Sequence, residues 1–234
     1  MVIFIIFFLG AIFGSFANLV INRTIKGESI ISPPSHCDNC GHRLQAWDLV
    51  PILSFTFLKG RCRYCKDKIS IDNLILEFIS GLFAIIFFNP FEIIKSGLIF
   101  LVILLSLIIA VIDLKTFDIY MNQIEILALL GIIYRYNFLI FDLEFFKITF
   151  LFIIAYVIIY LASNKGLGDG DIYYYLTLFL ILPNQKIIYF ILISIWLGAI
   201  SGLAIAYKNR TLKSQIPFCI YIFMSFLILN LPGV

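Results

Sequence analysis

Long apolar runs broken by short polar stretches recur along almost the whole chain, and they decide what it can fold into. They fall near 2–21, 74–88, 97–112, 119–134, 147–162, 172–183, 187–207 and 216–231. Between them stand Asn89-Pro90, the Asp113–Asp118 stretch, Arg135–Lys147, Ser163–Asp171, Pro183–Lys186 and Lys208–Gln215. With 62% hydrophobic residues, 13% charged and a mean hydropathy of +1.05, a water-soluble domain would lack the polar cover that a folded surface needs. The bilayer is the solvent in which this composition is stable. The expected fold class is an all-α polytopic membrane protein of about eight transmembrane helices with a small cytoplasmic zinc-binding insert. Several runs are shorter than the ~20 residues of a full crossing, which leaves their ends loosely fixed.

Met1 runs directly into apolar sequence, with no basic n-region and no small-residue cleavage site, so the first run is expected to stay as a helix. Charge sets the orientation. With residues 22–73 in the cytoplasm, the stretches 113–118, 163–171 and 208–215 also face inward. Of the 17 Lys and Arg, only Lys95, Arg135, Lys147 and Lys186 then lie outside, as do both termini. The net charge of +3 follows this membrane pattern and implies no nucleic-acid partner. The chain divides into a first helix (1–21), a cytoplasmic insert (22–73) and a helical membrane core (74–234).

Within the insert, Cys37-Asp-Asn-Cys40 and Cys62-Arg-Tyr-Cys65 form two Cys-x-x-Cys knuckles. Such a pair supplies four thiolates to one tetrahedral zinc, one per chain, and Arg61, Arg63, Lys66 and Lys68 would offset its negative charge. Disulfides are the competing reading, disfavoured in a reducing cytoplasm. Between the knuckles, Trp47 to Phe55 is apolar but too short to cross and contains Pro51. It is read as lying against the membrane surface or packing beneath the zinc site. Cys219, in an apolar run, reads as a small packing residue.

The orientation sets Asp113, at the end of the third run, and Asp171, at the start of the sixth, at one depth on the cytoplasmic side. Ionisable groups at membrane depth are costly and mark function. Two carboxylates that share one proton can split the work of peptide hydrolysis, one as general base and one as donor to the scissile carbonyl. Taken singly, each has a plainer reading: Asp171 as a helix N-cap, Asp113 as the point where a span meets water. Glu77, inside the second run, calls for an interior partner that the sequence does not name. A small transporter with these carboxylates as an ion path is a rival, though no internal repeat accompanies it. A scaffold whose insert binds cytoplasmic partners is another.

More specific strings follow. Gly14-Ser15-Phe16-Ala17-Asn18-Leu19-Val20-Ile21-Asn22-Arg23, then Ser32-Pro33-Pro34-Ser35-His36-Cys37 through Cys65 to Ile69-Ser70, then Leu76-Glu77, closely resemble the bacterial prepilin peptidases (type IV leader peptidases). That family consists of polytopic GxGD-type aspartic proteases, and the resemblance covers the chain in order and spacing. It implies that Asp113 and Asp171 are the catalytic pair and that Cys37, Cys40, Cys62 and Cys65 hold the metal. It implies an enzyme of the bacterial cytoplasmic (inner) membrane, its active site facing the cytoplasm. The substrate would be a type IV prepilin or pseudopilin with a basic leader and an apolar helix, cut after a glycine. S-adenosylmethionine-dependent N-methylation of the new N-terminus would follow, with Asn18, Arg23 and Trp47 as candidate participants. Departures from the pattern are Tyr120-Met121-Asn122, where Pro followed by Asp or Asn is usual, and Tyr173, where Lys is usual. Gly166-Leu167-Gly168-Asp169 is itself a GxGD string; Asp171 is preferred because Leu167 then takes the large apolar position, and Asp169 is the alternative.

Overall fold

The computed structural model of the protein describes residues 1–162, 168–209 and 216–232, all helical or irregular and without a strand. The helices are α1 (Val2–Lys26), α2 (Leu53–Phe57), α3 (Ile71–Phe87), α4 (Ile93–Thr116), α5 (Met121–Phe138), α6 (Leu143–Ala162), α7 (Asp171–Phe179), α8 (Asn184–Asn209) and α9 (Cys219–Asn230). Each apolar run coincides with one helix, and α2 lies within the insert. Among the described residues, α1, α4, α6 and α8 are long and apolar enough to cross a membrane. The chain is a multi-pass membrane protein.

Two compact units divide it, Met1–Leu104 and Leu105–Val234. In the first, α1 and α3 pack along each other through small residues. A Cβ on Gly10 would come within 2.5 Å of Ala84 Cβ, and one on Gly14 within 2.7 Å of the Leu76 carbonyl. This close backbone approach is the packing available to helices in lipid, where no hydrophobic force draws them together. At the end of the pair nearer the insert, Asn18 donates to Asn73 at 2.7 Å.

The second unit is built around α7. Its Tyr175 and Phe179 join Phe152 of α6, Phe190 of α8 and, through Phe190, Phe226 of α9 in a chain of mostly edge-on rings. Tyr174 donates to the Ser106 carbonyl of α4, and Tyr175 pairs with Ser194 of α8. Two expectations change here. The sixth run is helical only to Phe179, nine residues or about 13.5 Å, because two tight turns and Pro183 end it. Arg135, counted as an outside loop charge, lies inside α5 and is 1% exposed. Its guanidinium donates to the Phe179 and Leu182 carbonyls, to Ile140 and to Asn184, and stacks 3.6 Å from the Phe145 ring centroid. A cation at the C-terminal carbonyls of α7 both satisfies them and complements the helix dipole.

Candidate active site and metal centre

Asp113 sits in the last turn of α4, not beyond it, and α4 closes at Thr116 before Phe117 turns away at φ 60°. Asp171 is the first residue of α7. The preceding glycines make room for it: a Cβ on Gly168 would lie 2.9 Å from Asp171 Oδ2, and one on Gly170 would strike Ile119. Tyr156 of α6 steadies this turn by donating to the Gly168 carbonyl at 2.8 Å.

The two carboxylates meet on one residue. The backbone N–H of Cys219, at the start of α9, donates to Asp113 Oδ2 at 2.9 Å, and its thiol donates to Asp171 Oδ1 at 3.5 Å. Asp113 is 6% and Asp171 7% exposed. Two acids 58 positions apart in sequence are thus assembled from three helix ends. Asp169 is exposed and hydrogen-bonds Tyr160 instead. Gly166 and Leu167 lie outside the described residues, as do 210–215 of the last inward loop.

In the first unit, the sulfurs of Cys37, Cys40, Cys62 and Cys65 all lie within 4.8 Å of one another. The knuckles share one build. Cys37 pairs with His42 as Cys62 does with Asp67, and the residue after each second cysteine, Gly41 or Lys66, has a left-handed backbone (φ 67° and 63°). His42 of one knuckle stacks on Tyr64 of the other, centroids 3.7 Å apart. Backbone N–H groups of Cys65 and Tyr64 pull the Cys62 thiol down to about 7, despite burial. The Cys65 thiol stands at about 12: the Asp67 N–H lowers it, but burial and hydrogen bonds with its three fellow thiols outweigh that. Four thiols so close share protons, and a cation among them would release these. The Cys37–Cys65 separation of 3.8 Å equals the edge of a tetrahedron with metal–sulfur bonds of about 2.3 Å, so the donor set fits a metal ion.

Residues 8–91 match the Bacterial Peptidase A24 N-terminal domain, and residues 98–203 match the Type IV leader peptidase family. A protein from Bacillus subtilis (strain 168) named prepilin leader peptidase/N-methyltransferase is 31% identical over 224 residues, covering 92% of this chain and 88% of that one. The chain belongs to the type IV leader peptidase family. Proteins of the same name from Myxococcus xanthus (strain DK1622) and Burkholderia pseudomallei (strain 1026b) are 42% and 46% identical over 77 and 52 residues. Those matches cover 33% and 22% of this chain, and only 23% and 17% of the relatives' own lengths. No solved structure matches.

Other residues of this leader peptidase family member find structural work. Glu77 accepts the backbone N–H of Ile52 at 2.7 Å, the partner that sequence left unnamed. Arg23 is buried and donates to the carbonyls of Ser29, Ile30 and Pro33. Asn18 binds Asn73 and Asn22, and Trp47 is exposed. The polar groups of Asn18 and Arg23 that make these bonds are thus engaged within the protein. Sequence reading missed Cys219 as a contact of both aspartates. Its placement directly after Pro217-Phe218, at the start of the last apolar run, was the available signal for a helix N-terminus.

Proposed function

We propose that this chain is a membrane aspartic endopeptidase. It removes the basic leader of type IV prepilins or pseudopilins after a glycine, on the cytoplasmic side of the bacterial inner membrane. The observation that carries this is the meeting of Asp113 and Asp171 at Cys219. In the proposed reaction the pair holds one proton. Asp113, which accepts an N–H at the start of α9, draws a proton from water as the water oxygen attacks the scissile carbonyl carbon. Asp171 gives its proton to the carbonyl oxygen. When the resulting diol collapses, the C–N bond breaks, Asp113 protonates the leaving nitrogen and Asp171 recovers a proton from the hydroxyl. The glycines at 168 and 170 let Asp171 and Ile119 close on the turn that sets Asp171 at the head of α7.

The four-cysteine cluster is read as a structural zinc site. Cys37, Cys40, Cys62 and Cys65 would hold the ion, which would tie the two knuckles together and take no part in hydrolysis. Residues 1–21, 22–73 and 74–234 serve as first span, metal insert and peptidase core. Methylation of the new N-terminus with S-adenosylmethionine completes the proposed activity and is supported by the relatives' name, not by any residue placed here.

The test is mass spectrometry of a type IV prepilin's N-terminus after co-expression with wild-type protein or with the Asp113→Asn or Asp171→Asn variant. Leader loss with wild type alone supports the dyad, and one added methyl group supports the transferase. Normal processing by either variant, inserted in the membrane, would refute the assignment.

A further inference from the structure

The insert is anchored at a depth its sequence alone conceals. Gly14 and Ser15 lie at the middle of the 25-residue α1, about 18 Å from either end. Alongside them on α3 are Leu76, whose carbonyl abuts Gly14, and Glu77, which hydrogen-bonds Ser15. Glu77 therefore sits about 9 Å, six residues, past the start of α3, beside the part of the α1 apolar run that ends at Ile21. Its carboxylate holds the Ile52 N–H at 2.7 Å, so the chain between the knuckles reaches that depth as well. Irregular backbone survives within a membrane only where protein satisfies its polar groups, and Glu77 supplies the acceptor. Ile52 is itself in the left-handed region at φ 64°, costly for a β-branched residue and held by this contact.

The rest of the segment is built to match. A 3-10 turn (Ala46–Leu49) precedes Pro51, and α2 follows. Trp47 is 76% and Phe57 81% exposed, with Leu49 and Leu53 also turned outward. On the other side Asp48 is bound by Arg63 at 2.6 Å and Tyr64 at 3.0 Å, which ties the segment to the second knuckle. Around it, residues 43–68 carry Arg43, Lys59, Arg61, Arg63, Lys66 and Lys68 against only Asp48 and Asp67. Apolar side chains edged with cations, and a tryptophan among them, suit the boundary between acyl chains and anionic headgroups.

We propose that residues 46–57 form a re-entrant, lipid-facing segment that seats the four-cysteine cluster on an anionic bilayer surface. Glu77 pins it at depth, Trp47, Leu53 and Phe57 enter the lipid, and the surrounding Lys and Arg bind headgroups. The inference rests on α1 crossing the membrane and is independent of the peptidase chemistry.

The chain has two tryptophans, so full-length protein carrying Trp196→Phe reports Trp47 alone. It would be reconstituted into phosphatidylcholine–phosphatidylglycerol bilayers containing lipids brominated along the acyl chain. Trp47 emission should be quenched by the brominated lipid and shielded from aqueous iodide. Glu77→Leu should lose much of that quenching, whereas Glu77→Gln, which keeps a carbonyl acceptor, should retain it. Iodide quenching with no bromolipid effect would overturn the proposal, and so would shielding from both quenchers, which would mean protein covers the face. Equal bromolipid quenching in the Leu variant would overturn the role given to Glu77.

Discussion

Replacing Arg135 with alanine should destabilise the second unit and loosen its candidate site. Four hydrogen bonds disappear, three of them from carbonyl acceptors and one from Asn184 Oδ1. Polar contacts between membrane helices average about 0.6 kcal/mol each, which sets a floor near 2.4 kcal/mol. Leaving a buried carbonyl acceptor unsatisfied costs about 1–3 kcal/mol, and the lost stacking on Phe145 acts in the same direction. A loss of about 2–5 kcal/mol corresponds to a melting temperature at least about 5 °C lower for a domain of this size. Arg135→Lys keeps the charge but cannot span all four acceptors, so it should fall between. The assay is thermal unfolding in detergent beside prepilin cleavage well below the midpoint. Because Arg135 holds the far end of the nine-residue helix that begins with Asp171, cleavage should fall even in folded Ala variant. An unchanged melting temperature in Arg135→Ala would refute this account of how α7 is held.

Cys219→Ala should lower prepilin cleavage only several-fold, because the backbone N–H to Asp113 remains, and Cys219→Ser should recover most of it. Complete loss in both the Ala and Ser variants would refute this limited role for the thiol. Metal analysis should find about one zinc per chain, abolished by paired Cys40→Ser and Cys65→Ser replacements. Metal binding should weaken as pH falls from 8 to 5, since the ligands must lose their protons. Cys62, held down to about 7, would contribute stability above its ordinary value near 9 and lose it as pH drops through 7; affinity unchanged at pH 5 would contradict the thiolate set. Gly14→Leu should separate α1 from α3, seen as protease sensitivity of the insert, and unchanged resistance would mean their small-residue contact is dispensable.

Much of this architecture was legible because lipid enforces simple rules. Apolar runs announced α1 and α3–α9, and paired knuckles announced the sulfur cluster before any geometry was known. The topology argument set Asp113 and Asp171 at one depth, but depth says nothing about which neighbour joins them. Cys219 supplies that link through its main-chain N–H to Asp113, a group every residue but proline owns, and through its thiol to Asp171, which an apolar run disguised as packing. Arg135 misled for the opposite reason. A cation near the end of an apolar run normally marks water, yet this one is neutralised by the carbonyl ends of a helix 44 positions away. Glu77 was recognisable as misplaced, while its partner, another backbone N–H in an irregular segment, was not.

The bridging position of Cys219 also orders events in time. The ends of α4 and α7 are synthesised well before α9 begins, and until then the two acids lack the residue that joins them. If the two acids act as proposed, their pairing is coupled to the arrival of α9, so a chain still leaving the ribosome would be an inactive precursor. A stalled chain ending before residue 216 that already cleaved prepilin would break that coupling.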